Sequence, residues 1–173
     1  MVMIKSKIRV VCDAGPIIHL DELDCLDLLT DFQEILISDT IWKEIKRYRP
    51  LDLKRSDLSF TLSPVKYPIS EILLTICRIF SLDAGETEAL AIMENNPNTV
   101  FLTDDASARL VAKQMGFKVH GTIGILVRSI RRGQMKPEEV ISIIKKIPIK
   151  STLHIKPSLI EEVIFRIKKE FKI

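Results

Sequence analysis

Asp13, Glu44, Glu88 and the adjacent pair Asp104–Asp105 are the residues of this 173-residue chain whose types and spacing could do chemistry. Asp13 follows the β-branched run Ile8-Arg9-Val10-Val11-Cys12, and Asp104 and Asp105 follow Thr99-Val100-Phe101-Leu102 after one threonine. In an open α/β sheet, ligands gather outside the carboxyl ends of the strands, so these acids stand where a site is expected. Carboxylates held close together repel one another, and a bound cation is the usual way to keep them there. Mg²⁺ and Mn²⁺ take oxygen ligands and retain waters, so a few carboxylates suffice.

Each acid also has a plainer reading. Asp13 could cap the helix that starts near Pro16. Asp39 reads as a cap and is set aside, and Glu86 is explained by capping opposite Asp83, three residues before it. Glu44 shares a helix with Ile41, Trp42 and Ile45 and could be a surface glutamate. Glu88 lies near Ala84, Ala91 and Ile92 on its helix, and a carboxylate in such company needs a partner that a metal would provide. One of Asp104 and Asp105 is expected to cap the following helix while the other points into the site.

The elements that must position these side chains alternate. Strands are expected at Ile8–Cys12, Glu34–Ile37, Thr99–Leu102 and Phe117–His120, with a candidate strand at Ser59–Leu62 inside an otherwise irregular stretch from Leu51 to Tyr67. Helices are expected from Pro16, from Ile41 toward Pro50, from Pro68 through Phe80, from Asp83 to about Asn95 and from Ala108 to Met115. Two or three more fill Thr122 to Lys172, with breaks near Gly133, Pro148 and Pro157. Strands separated by helices imply a three-layer α/β/α fold on a parallel sheet of four to five strands, plus C-terminal helices. Residues 1–150 read as one domain and 151–173 as its helical extension, docked or exchanged from Pro157 onward.

Hydrophobic content of 46% and charged content of 28% suit a globular chain and exclude a disordered one. No apolar run approaches the roughly 18 residues that cross a bilayer, and the first residues lack a signal-peptide pattern, so a cytoplasmic protein without membrane contact is expected. Cys12, Cys25 and Cys77 show no ligand spacing and read as reduced core thiols. His19, His120 and His154 show none either. The lone Trp42, between Ile41 and Ile45, reads as core, and one tryptophan with two tyrosines makes no stacking ladder. Charge is divided unevenly: Met1–Val127 carries 14 Lys/Arg against 18 Asp/Glu, whereas Arg128–Ile173 carries 12 against 5. An acidic body with a basic end fits a metal site beside a surface drawn to phosphate, although a solvated basic helix face would give the same count.

Five stretches taken in order resemble the PIN domain family, in particular its prokaryotic, VapC-like ribonuclease branch. They are Val11-Cys12-Asp13-Ala14-Gly15-Pro16-Ile17-Ile18, Ile35 to Glu44, Asp83-Ala84-Gly85-Glu86-Thr87-Glu88-Ala89-Leu90-Ala91, Phe101-Leu102-Thr103-Asp104-Asp105 and Gly121-Thr122-Ile123-Gly124-Ile125-Leu126. The resemblance spans about Arg9 to Arg132. It implies an α/β/α nuclease with a four-acid pocket for Mg²⁺ or Mn²⁺. Position by position, it assigns Asp13, Glu44, Glu88 and Asp105 to the four acids, with Asp104 competing for the last place and Thr103 as the hydroxyl that orients the cluster. Many relatives carry serine where Gly15 stands, so a hydroxyl beside Asp13 is absent here.

The implied chemistry is hydrolysis of RNA phosphodiester bonds, with the carboxylates holding the metal and Arg109 and Lys113 available to phosphate oxygens. The resemblance further implies a toxin of a toxin–antitoxin pair, held off by an antitoxin protein and acting as a homodimer. The competing reading is a catalytically inactive PIN-like RNA-binding or scaffold module. A phosphatase of similar architecture would need a second aspartate where Gly15 stands, and a phosphoacceptor receiver would need an acceptor and late lysine that no pair of residues here provides.

Overall fold

The computed structural model describes residues 8–48 and 57–173. Its strands are β1 (Arg9–Cys12), β2 (Glu34–Ile37), β3 (Phe60–Leu62), β4 (Val100–Leu102) and β5 (Lys118–His120). They pair in parallel in the order β3-β2-β1-β4-β5. The candidate strand at Ser59–Leu62 is thus a real edge strand, and the reading of 51–56 as irregular lies outside the described residues. Helices α1 (Ala14–Glu22), α2 (Asp39–Tyr48), α3 (Glu71–Ile79), α4 (Ala84–Glu94), α5 (Ala106–Gln114) and α6 (Thr122–Arg131) flank the sheet, and α7 (Pro137–Lys150) and α8 (Pro157–Phe171) follow.

The central strands read as continuous apolar runs because both of their faces are covered. Val10, Val11 and Cys12 in β1, Ile35, Leu36 and Ile37 in β2, and Phe101 and Leu102 in β4 are all buried. Parallel pairing also brings the carboxyl ends of β1 and β4 side by side, with Cys12 opposite Leu102. The chain leaves both strands still hydrogen-bonded, Asp13 N donating to Leu102 O and Thr103 N to His120 O. Asp13 and Thr103 therefore enter the next elements from fixed positions.

Several helix starts differ from the expected ones. Helix α1 begins at Ala14, with Asp13 as its cap and Pro16 inside the first turn, where the N–H that proline lacks would have no intrahelical acceptor. Ser38, not Asp39, caps α2: its Oγ accepts from Ile41 N, and Asp39 pairs with Lys43 one turn on. Ser70 caps α3, so Pro68 precedes the helix rather than opening it. Pro148 lies within the last turn of α7, which runs on to Lys150. The capping box of Asp83 and Glu86 is formed as expected, and Gly116 turns the chain after α5 at φ +82°. All three cysteines are free and buried. Trp42 is partly buried and tilts against Phe60 at a centroid distance of 6.0 Å.

The C-terminal stretch is tied to the body at two places. Residues 151–156 cross from α7 to α8 as a strap, with Ser151 Oγ and Thr152 N each donating to Glu22 Oε2 at 2.7 Å. Helix α8 packs along α7, buries Ile167, and receives a bidentate ion pair from Arg131 of α6 to Glu170. Among the described residues, no helix is long and apolar enough to cross a membrane.

Candidate functional site

The carboxyl ends of β1 and β4 and the N-terminal ends of α4 and α5 meet at one group of acids. Asp13 Oδ1 accepts from Ala14 N at 2.8 Å and Oδ2 from Thr103 Oγ1 at 3.0 Å. Thr103 is fully buried, and its Oγ1 also accepts from Asp105 N at 3.2 Å. This one hydroxyl ties Asp13 to the turn that carries Asp105. Burial pushes Asp13 up to about 6, against the two hydrogen bonds it accepts, and the charges of Glu44 and Asp83 add to the rise.

Glu44 on α2 is half-buried and also raised, by desolvation first and then by Asp83. It reaches the same place because Gly85 lets α2 and α4 approach: a Cβ there would stand 3.3 Å from Ile41 and 3.8 Å from Glu44 Oε2. Glu86, set aside as a cap, turns out to be a member of the group. Its Oε2 does accept from Asp83 N at 2.9 Å. Yet burial and the charges of Asp83, Asp105 and Asp13 push it up to about 7, with the backbone hydrogen bond opposing. Asp83, Asp13, Glu44, Glu86 and Asp105 thus act on one another electrostatically.

Two expected members stand elsewhere. Glu88 points away from Asp13: its Oε1 accepts from Thr40 Oγ1 at 3.0 Å and Tyr67 OH at 3.4 Å, in a separate cleft with Asp39 and Ser63. Asp104 is consumed by structure. Its Oδ1 accepts from Thr122 N at 2.7 Å, and its Oδ2 from Thr122 Oγ1 at 2.6 Å and stands 2.8 Å from His19 Nδ1. Burial alone would raise Asp104, but these hydrogen bonds and the nearby His19 hold it below the usual carboxylate value. Asp105 caps α5 through Oδ1, accepting from Ala108 N at 2.7 Å, and is the exposed acid that faces Glu86. The expected division of labour between the two aspartates is therefore met differently: Asp105 both caps its helix and faces the group.

Asp104 also explains one glycine and leaves another free. A Cβ on Gly121 would fall 2.5 Å from Asp104 Oδ1 and 2.9 Å from Arg109 Nη1, so only glycine lets the start of α6 close on that carboxylate. At Gly15 a Cβ would meet nothing nearer than His19 at 3.5 Å, so a serine would fit there. Replacing Asp104 by Ala strands the Thr122 donors and His19, and unfolding in urea should show a loss of about 1–3 kcal/mol at pH 7. Because its folded value is depressed, Asp104 stabilises the fold above about pH 4 and loses that contribution as pH falls through the folded value. The gap between Asp104→Ala and the parent should therefore narrow at pH 3.

The donor set suits a hard divalent cation: oxygen ligands, two of them pushed well up by burial and then by the charges of neighbouring carboxylates. Among the described residues, Asp13, Glu44, Glu86 and Asp105 have no Lys or Arg ion-pair partner. The side chains are not closed about a point, since among the described residues no three His, Cys, Asp or Glu are arranged to hold an ion. A cleft of about 410 Å³ between α1, α2 and the strap opens beside Glu44, lined by Gly15, His19, Tyr48 and Thr152.

Signals for Glu86 were present in the sequence. It sits in the first turn of α4, and capping engages only one of its oxygens, which leaves its charge to act on neighbours. A family model described as a PIN domain matches residues 9–169. No curated protein and no solved structure matches the chain.

Proposed function

This chain belongs to the PIN domain family, whose members are generally nucleases that use divalent metals, and on that premise we propose that it is a Mg²⁺- or Mn²⁺-dependent endoribonuclease. The observation that carries the reading is the gathering of Asp13, Glu44 and Glu86, each raised by burial first and then by neighbouring carboxylates, with no Lys or Arg ion-pair partner among the described residues. Asp13, Glu44, Glu86 and Asp105 would hold the metal. A bound divalent cation supplies polarisation of a phosphate oxygen and a water of lowered pKa.

The protein's own contribution is positional. Thr103 orients Asp13 and the Asp105 turn together, and Gly85 admits Glu44. Asp104, held by Thr122 and His19, braces the start of α6 against the site without facing it. The biological role proposed is that of a VapC-like toxin, restrained by an antitoxin protein and working as a homodimer in the cytoplasm. What supports it is the resemblance of the five sequence stretches to the VapC-like branch of the family.

The test is a cleavage assay on single-stranded RNA. Cleavage should appear with Mn²⁺ and vanish in EDTA. The same cation should raise the melting temperature, because it removes the repulsion among the carboxylates. Binding of RNA without cleavage in either metal would leave the inactive, RNA-binding module as the better reading.

A further inference from the structure

The face of the molecule beyond Asp104 carries a second cleft, of about 330 Å³, that the acid group does not use. One wall is the strap and α8, through Leu153, His154, Ile155 and Val163; the other carries Arg109 and His120. Arg109 is joined to the acid group through Thr103, donating from Nη1 to its carbonyl oxygen at 3.3 Å. It has no carboxylate partner among the described residues, whereas Arg128 and Arg131 are tied to Asp31 and Glu170. Asp104 also lines this cleft, but its oxygens are taken up by Thr122 and stand close to His19, which leaves Arg109 as the cation on that wall. Desolvation first, and then the charges of Arg109, Arg128 and Arg131, hold His120 below its ordinary value.

We propose that this cleft is a nucleotide-binding subsite that seats one unpaired residue of an RNA strand, its base against Leu153, Ile155 and Val163 and its phosphate on Arg109. The proposal rests on the nuclease reading for its biological setting only. The volume lies at the low end of the roughly 300–1,000 Å³ of small-molecule sites, which admits a single nucleotide and excludes a duplex. Aliphatic walls with a few polar groups suit a base splayed out of a single strand, whose edges need donors and acceptors. His120 and His154 provide both. An arginine without an acid partner provides the phosphate contact. The substrate class that follows is single-stranded RNA, entering across the strap.

The experiment is a titration of the ¹⁵N-labelled full chain with AMP, UMP and, separately, ribose 5-phosphate, all in EDTA so that no metal is involved. Saturable shifts centred on Arg109, 153–155 and Val163 are expected for the mononucleotides, at least tenfold tighter than for ribose 5-phosphate. Arg109→Met should weaken AMP binding at least tenfold, and Val163→Trp should fill the cleft and abolish it. Where Val163→Trp disturbs the fold, Arg109→Met decides alone. Shifts centred elsewhere, ribose 5-phosphate binding as tightly as AMP, or unchanged affinity in Arg109→Met would overturn the subsite. Mononucleotide binding in a protein that never cleaves RNA would sink the nuclease reading and leave the subsite standing. Cleavage of RNA by a protein that binds no mononucleotide would do the reverse.

Discussion

Asp13→Asn is expected to reduce Mn²⁺-dependent RNA cleavage by about 100-fold or more, the cost of removing a metal-holding carboxylate being at least that of disturbing its support. The same substitution should leave the metal-free fold intact. The asparagine Oδ1 can still accept from Ala14 N, and its amide can donate to Thr103 Oγ1, which carries a lone pair to spare. Stability even improves at alkaline pH. The folded value of Asp13, about 6, lies above its unfolded value near 3.8, so the folded state holds the extra proton between the two. Stability therefore falls as pH rises from about 4 to about 6 and stays lower above that. A neutral side chain escapes the loss. Urea unfolding at pH 8 without metal should show Asp13→Asn as stable as the parent or more so, while addition of Mn²⁺ should stabilise the parent and leave the variant nearly unmoved. A variant that cleaves RNA as well as the parent would end the proposed role of Asp13.

Glu86→Gln and Glu88→Gln form the second decisive pair. The sequence motif favoured Glu88, and the structure places Glu86 beside Asp13 and Asp105. Glu86→Gln should therefore lower cleavage by about 10- to 100-fold. The capping interaction survives the change, because the glutamine carbonyl can still accept from Asp83 N. Glu88→Gln should keep activity within about threefold, since its amide oxygen can take over the hydrogen bonds from Thr40 and Tyr67. Steady-state cleavage of one RNA by both variants, with circular dichroism to show equal folding, checks this. If Glu88→Gln is the inactive one, the metal is held by a different set of acids from the one proposed.

The legible part of the protein is the part governed by local rules. Runs of β-branched, aromatic and other apolar residues announced the strands, including the short edge strand at Phe60–Leu62, because pleated backbone favours side chains that pack on its faces. The spacing of Asp83 and Glu86 announced a helix start, because the reciprocal hydrogen bonds span only three residues. Ser38 and Asp39 are adjacent helix-start residues of types that cap equally well, so only the geometry of the turn could separate them. Pro148 stands where a break is expected but falls in the last turn, where the helix is ending anyway; the one hydrogen bond its missing N–H removes is the one to the carbonyl of Ile144.

By itself, then, the sequence determined the order of strands and helices and placed Asp13 and Asp105 at the carboxyl ends of β1 and β4. Tertiary structure decided which acids share a site. Glu86 and Glu88 are two positions apart on one helix, roughly 200° around its axis, so packing of α4 against α2 and β1 selects one and turns the other toward Tyr67. Asp104 is withdrawn from the group by His19 and Thr122, which lie 85 and 18 residues away along the chain. No spacing rule reports such partners, because a side chain's direction in the folded protein depends on what the other elements bring to meet it.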